Sequence, residues 1–391
     1  MHICFLMPQG EYYSPVSGGA IATVTMELVR ELIGMGHRAT VLTPDKGDGF
    51  YDTGDVIAIS APHRDEIGAA SRALYKLQNA VFGWGLSYYP PYRSSFAQAL
   101  RGLSPGPDWI VIANDITSPR YAKAAVPRAK ALVQFHNEQH NRPRDLQFAI
   151  ACVDRFVAVS RCTRDWNKRS LAIPLQKFGV LLNGVNPSTF FPRPDFLEST
   201  SPARAIFIGR IDPNKGPDIA ADAVAALRAE GIEIDLTVAG GTWFYGHNQQ
   251  DPYLLSLLKK IDAAGGKYLG PVGRKDVPEL IREHDIAMVL SRSNEPFGLV
   301  VLEAMASGLA VIASDRGGLP EACGGAARLV NPDDFKAVVD NLRELATDPE
   351  ALRVAKQKSV ARAAECTWEK RAGELLEIIG GGRDAAISTD H

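Results

Sequence analysis

The sequence predicts an α/β protein built from two doubly wound parallel-sheet domains. Three observations carry that reading. Short apolar runs recur at intervals that leave room for an intervening helix, the spacing of βαβ units. The runs fall into two sets separated by NGVNPSTFFPRP (183–194), a turn followed by a Pro-punctuated connector. The length of 391 residues, 46% hydrophobic and 23% charged, is enough for two ordinary globular domains. The first domain is expected over 1–187 and the second over 188–368.

In the first set, HICFLMP (2–8) reads as a strand, QGEYYSPVSGG as a loop, and Ala20 to about Met35 as a helix. Gly18 and Gly19 can adopt positive φ and open the backbone to a ligand phosphate; a plain tight turn is the alternative. The spacing is not GxGxxG, so the dinucleotide fingerprint is absent. RATVLTP (38–44), DVIAIS (55–60), WIVIAND (109–115), ALVQFH (131–136), RFVAVS (155–160) and KFGVLLNGV (177–185) follow as strands. Residues 61–105 interrupt the rhythm with the aromatic WGLSYYPPYRSS, either an exposed acceptor surface or one loop packed on another. His136 closes a strand in FHNEQH, which points its ring toward the carboxyl edge where such sheets bind ligands; a structural histidine is the other reading.

The second set comprises ARAIFIGR (203–210), IDLTVAGG (234–241), KYLGPV (267–272), IAMVLS (286–291), LAVIAS (309–314) and ARLVN (327–331). Between IAMVLS and LAVIAS lies SNEPFGLVVLEAMASG, read as a loop and a helix that starts at Pro296 and stops at Gly308. Free N–H groups of Phe297, Gly298 and Leu299 would form an anion site at the start of that helix, with Gly298 admitting a phosphate close to the backbone. Glu295 can accept from hydroxyls on one side of the phosphate; Glu303, about 7–8 Å further along the helix, can reach hydroxyls on the other. A diol, a diphosphate and a second polyol in a row describe a nucleotide-sugar; an ordinary amphipathic helix with a loop Glu and a surface Glu is the alternative. Arg210 at the end of AIFIGR and Lys215 in GRIDPNKG supply cations that can neutralise a leaving diphosphate, with plain surface salt bridges as the other reading. The loop DRGGLPE (315–321) adds Gly317 and Gly318 as further backbone donors. Two such sheets would face each other across a cleft, a natural place for a two-substrate reaction. Beyond Asp333 the chain reads as helical, with ECTWEKRAGELLEII (365–379) a strong amphipathic pattern that has Trp368 at its start, and GGGRDAAISTDH a disordered tail.

Composition narrows the class. The net charge of −2 divides into +5 over residues 1–187 (20 Lys+Arg against 15 Asp+Glu) and −7 over the remainder (23 against 30). The basic half suits either peripheral contact with an anionic membrane or an ordinary solvated surface, since no dense Lys/Arg cluster stands out; nothing points to nucleic acid. No apolar run approaches the ~20 residues of a membrane span. MHICFLMPQGE lacks the marks of a signal peptide, and five cysteines without a CxxC pair fit a reducing cytosol, so a cytoplasmic location is expected.

The motifs resemble those of the retaining glycosyltransferases of family 4, which have the GT-B fold. EPFGLVVLEAMASG is similar to that family's E-x7-E motif, SGGA (17–20) to its N-terminal glycine loop, and FHNE (135–138) to its strand-end His. VAVS with Thr163, NGVNPSTFFP, GRIDPNKG, AGG and GGLPE match further motifs in the same order along the whole chain; Asn186 stands where the family often has Asp. The resemblance implies GT-B architecture with a C-terminal helix that crosses back, so that about 369–391 rejoins the first, acceptor-binding domain. It implies sugar transfer from a nucleoside diphosphate sugar with retention and without a metal. Glu303 would hold the ribose; Glu295 and the backbone of Phe297, Gly298 and Leu299 the sugar and phosphates. Gly209, Arg210 and Lys215 would bind the diphosphate, assisted by Gly18 and Gly19, and His136 the donor sugar near the reacting carbon. UDP-hexose is the favoured donor and GDP-mannose the next. The acceptor would be a saccharide, a lipid-linked saccharide or a small alcohol. A GT-B nucleotide-sugar epimerase or phosphorylase and a non-catalytic nucleotide-sugar sensor are the rivals; the missing fingerprint argues against an oxidoreductase.

Overall fold

The computed structural model describes residues 1–60, 90–139, 146–198, 201–242 and 248–380, with single positions at 68, 73 and 77. Contacts divide the chain into two units: Met1–Leu182 with the chain from Arg371 onward, and Asn183–Lys370.

The first unit is built on a seven-stranded parallel sheet. Its strands are β1 (His2–Leu6), β2 (Arg38–Pro44), β3 (Asp55–Ile59), β4 (Trp109–Ala113), β5 (Lys130–Phe135), β6 (Arg155–Ala158) and β7 (Phe178–Val180). They lie side by side in the order β3-β2-β1-β4-β5-β6-β7. The central strands β1 and β4 are buried at every position, which is why they read as unbroken apolar runs. Phe135, Phe156 and Phe178, from three adjacent strands, pack on one face with ring centroids 5.6–6.0 Å apart. Such pairs contribute about 0.5–1.5 kcal/mol each beyond their buried area. The helix Ala20–Gly34 follows β1, and Ser160 caps the helix Arg161–Leu171 by accepting from the Thr163 N–H at 3.1 Å. The serine and threonine of VAVSRCT therefore serve as a helix cap.

The second unit is built on a six-stranded parallel sheet. Its strands are β8 (Ala203–Ile208), β9 (Ile234–Ala239), β10 (Lys267–Tyr268), β11 (Ile286–Val289), β12 (Ala310–Ser314) and β13 (Arg328–Val330). Their order is β10-β9-β8-β11-β12-β13. At the amino end of β11 the fully buried Asp285 accepts from Lys356 at 2.8 Å and from Arg193 and Arg204 at 3.0 Å. One carboxylate thereby ties the connector and the helix Pro349–Glu365 to the sheet. Asn186 holds the turn of the connector, its Oδ1 accepting from the Ser188 N–H at 3.0 Å.

Several expectations change. The helix after Glu295 starts at Leu299 and not at Pro296, because Gly298 sits at φ +87°, outside helical space. That helix is buried nearly all round, against β12 and the helix Pro349–Glu365, so its apolar pattern is broader than one face. The C-terminal amphipathic pattern keeps its expected start and forms the helix Trp368–Gly380, after the separate helix Pro349–Glu365. Between these two helices the Val185 N–H donates to the Cys366 carbonyl at 2.7 Å, and Val185 bridges Thr367. Part of the expected aromatic loop is the helix Pro90–Gly102, with Tyr92 fully buried and its hydroxyl donating to the Met7 carbonyl, so this part is core and no exposed surface. Residues 84–89 of that loop, and the expected tail from 381, lie outside the described residues. Among the described residues no helix is long and apolar enough to cross a membrane.

Candidate functional site

Strands β8 and β11 are hydrogen-bonded neighbours although β9 and β10 separate them in sequence. The chain winds outward from β8, then returns to lay β11–β13 on the other side. This reversal is a topological switch point, where loops leaving the carboxyl ends diverge and open a crevice. Gly209, Arg210 and Lys215 leave β8 there, and Ser291 to Gly298 leave β11.

Close backbone packing shapes the β8 side. Gly240 has φ +148°, and a Cβ on it would lie 1.7 Å from the Gly209 carbonyl oxygen. The chains leaving β8 and β9 touch with no room for a side chain, which accounts for the glycine turn AGG. Arg210 pairs with Asp212 at 2.6 Å, and Asp212 also accepts from the Asn214 N–H at 2.7 Å, capping the 3-10 turn Pro213–Lys215. That turn aims Lys215 across the switch point, where its Nζ donates to Glu295 Oε1 at 2.5 Å. Ser291 Oγ donates to the same oxygen at 2.7 Å. Glu295 is 9% exposed, so this small cluster is held largely out of water.

The loop after β12 supports Glu295 from behind. The Gly318 N–H donates to the Glu295 carbonyl at 2.6 Å, and a Cβ on Gly317 would strike the Glu295 backbone. Gly318 is thus spent on the protein itself and does not offer its N–H to a ligand. Gly298 is required by its positive φ and by Leu319, whose Cδ2 lies 2.5 Å from where a Cβ would stand. Phe297 is buried. The helix Leu299–Ala306 has no side-chain cap; in its first turn the Val301 N–H donates to the Gly298 carbonyl at 3.0 Å, while the N–H groups before it precede any i−4 acceptor of the helix. Glu303 lies in its second turn; burial pushes its carboxyl pKa up, opposed by Arg274 at 3.5 Å.

In the first unit the corresponding switch point lies between β1 and β4. Gly18 packs so closely that a Cβ would meet the Ser14 carbonyl at 2.2 Å. Gly19 begins the helix Ala20–Gly34, and the Glu11 carboxylate stands 2.9 Å from where its Cβ would be. That carboxylate takes the Gly19 N–H, the donor expected to meet a phosphate, and burial raises its pKa. His136 follows β5, its N–H donating to Asn114 Oδ1 at 2.7 Å. The residue is 7% exposed and its Nε2 has no hydrogen-bond partner among the described residues. Burial lowers its pKa to about 3, so the ring is neutral at neutral pH. Gly18, Gly19 and His136 belong to one unit, and Gly209, Arg210, Lys215, Glu295 and Phe297 to Glu303 to the other. Ser291, Asp212 and Arg274 join the site without any mark in the sequence, because Ser, Asp and Arg beside turns are too common to single out. Among the described residues no three His, Cys, Asp or Glu side chains group as a metal site needs.

The family model described as Glycosyltransferase Family 4 matches residues 18–189, and that described as Glycosyl transferases group 1 matches residues 191–362. The chain belongs to glycosyltransferase family 4, a family of sugar-transferring enzymes. It is similar to the D-inositol 3-phosphate glycosyltransferase of Streptomyces avermitilis, 31% identical over 252 residues, 59% of this chain and 52% of that protein. The match thus spans about half the length of that relative. Sucrose-phosphate synthase from Thermosynechococcus elongatus has a similar structure, with TM-score 0.74 and 18% identity over 97% of this chain and 98% of the other. HepE from Anabaena, in complex with UDP and glucose, gives TM-score 0.70 and 17% identity over 97% and 99%. At these identities the likeness establishes the fold, which is GT-B.

Proposed function

We propose that this family-4 chain transfers a hexose from a nucleoside diphosphate sugar to a hydroxyl acceptor, with retention at the anomeric carbon. UDP-hexose is the first donor to test and GDP-mannose the second. The observation that carries the reading is the Lys215–Glu295 pair at the β8/β11 switch point. It sets a cation suited to a diphosphate beside a carboxylate suited to sugar hydroxyls. HepE's complex with UDP and glucose supports the donor class by analogy. Arg210 and Lys215 offset the charge that develops on the departing diphosphate, and the uncapped start of the helix Leu299–Ala306 adds backbone donors. Glu303 binds the ribose diol. Neutral His136, its Nε2 unpaired among the described residues, is suited to hydrogen-bonding a sugar hydroxyl; proton transfer at neutral pH would need a higher pKa.

We infer front-face attack, in which the leaving diphosphate takes the acceptor proton. With cations and backbone N–H groups handling the charge, no metal or other cofactor is invoked. The acceptor class comprises a saccharide, a lipid-linked saccharide or a small alcohol, with a role in cell-envelope polysaccharide, lipopolysaccharide or glycolipid synthesis. The excess of 20 Lys+Arg over 15 Asp+Glu in residues 1–187 is the feature that would support peripheral membrane contact. The test is thermal-shift titration with UDP, GDP, ADP and NAD in EDTA. Stabilisation by one nucleoside diphosphate, about 2.7 kcal/mol at 100 times its Kd, supports the proposal. A response to NAD alone, or to none, refutes it.

A further inference from the structure

Arg292 stands between Ser291 and Glu295 in sequence but directs its side chain to other partners. Its guanidinium donates to both oxygens of Asp218, at 2.8 and 2.7 Å, and to the Pro213 carbonyl at 2.7 Å. Its backbone N–H donates to the Asn214 carbonyl at 2.7 Å. Pro213 and Asn214 are the two residues immediately before Lys215. Asp218, in the first turn of the helix Pro217–Ala229 that follows, has a side chain 16% exposed and takes a further bond from the Tyr253 hydroxyl at 2.7 Å. Arg316, from the loop after β12, donates to the Arg292 carbonyl. Each bond that Arg292 donates therefore ends on the segment that carries Lys215 or on the helix continuing from it.

The chemistry requires arginine. Two parallel N–H groups engage the carboxylate while Nη1 also reaches a carbonyl, a planar fork that a lysine ammonium does not reproduce. Lys215 and Glu295 are 80 positions apart. Their meeting depends on how the turn Pro213–Lys215 lies against the loop after β11. Arg292, on that loop, clamps the two segments together.

We propose that Arg292, held by Asp218 and Tyr253, is a positioning residue that sets the Lys215–Glu295 pair for the donor. This rests on the reading of Lys215 as a ligand of the donor diphosphate. The clamp acts through Lys215, so its loss matters only while Lys215 is present. A merely structural role would lower stability without that dependence.

The test is calorimetric titration of the full chain with UDP. The proteins compared are wild type, Lys215→Ala, Arg292→Lys, Asp218→Asn and Lys215→Ala/Arg292→Lys, each with its melting temperature. Arg292→Lys and Asp218→Asn should each weaken UDP about tenfold, the size of one charge-assisted hydrogen bond. The double variant should bind no more weakly than Lys215→Ala alone. Wild-type affinity in Arg292→Lys, or losses that simply add in the double variant, overturns the proposal. Unchanged affinity in Lys215→Ala overturns the reading beneath it instead. Should Arg292→Lys fail to fold, Tyr253→Phe removes a single donor to Asp218. A loss of about threefold in UDP affinity then supports the clamp, and no loss overturns it.

Discussion

The burial of His136 makes a quantitative claim about acid. An ordinary histidine titrates at 6.5, and burial lowers this one to about 3. Between those values the unfolded chain carries a proton on this ring that the folded chain does not. The unfolded state then binds more protons, so stability falls as pH drops below 6.5, and the loss is complete only near 3. The slope is about 1.4 kcal/mol per pH unit for one proton, which puts the loss at about 2–3 kcal/mol by about pH 4.5. That is a sizeable part of the 5–15 kcal/mol typical of a folded domain. The perturbation is His136→Gln, which keeps an amide in the same place and removes the titration. Urea denaturation of both proteins at about pH 7 and about pH 4.5 measures it. The variant should lose about 2–3 kcal/mol less than wild type over that interval. His284, lowered to about 4 by its own burial, contributes to both proteins and cancels. Parallel losses in the two proteins would show that His136 is not buried neutral, and the account of its role would go with it.

Other outcomes follow from named contacts. Lys215→Ala should weaken UDP binding about 10–100-fold, while Glu295→Gln should spare UDP and weaken UDP-glucose relative to it; equal losses for both ligands in Glu295→Gln would contradict the assignment of Glu295 to the sugar. Gly240→Ala cannot place its Cβ without displacing Gly209, and should cost more than about 2 kcal/mol in urea denaturation. Asp285→Asn leaves Lys356, Arg193 and Arg204 facing a neutral amide, and should lower stability by about 3–5 kcal/mol; a change below about 1 kcal/mol would mean the cluster is solvated.

Much of the fold can be read from the sequence, and the reasons are local. Parallel strands covered on both faces are short apolar runs, so RATVLTP marks β2 over its whole length and WIVIAND overshoots β4 by two residues. Where the reading slips, a contact distant in sequence intervenes. Leu319 and a positive φ at Gly298 move the helix start from Pro296 to Leu299. Tyr92 belongs to the core because its hydroxyl finds the Met7 carbonyl, which no aromatic count reveals.

Which residues can do chemistry, and that they sit at strand ends, is written in the chain itself: His136 after β5, Arg210 after β8, Glu295 after β11. This information is carried by the alternation of apolar runs with glycine-rich and charged loops, a property of neighbours along the chain. Which of those ends meet is a matter of tertiary packing. The pairing of β8 with β11 brings Lys215 to Glu295 and Arg292 onto the turn before Lys215, and the pairing of β8 with β9 sets Gly209 against Gly240. Packing likewise sets Glu11 on the Gly19 N–H and turns Gly318 inward. Strand order and close backbone approach arise from the fit of the whole sheet and its helices, and no local pattern of residues encodes them.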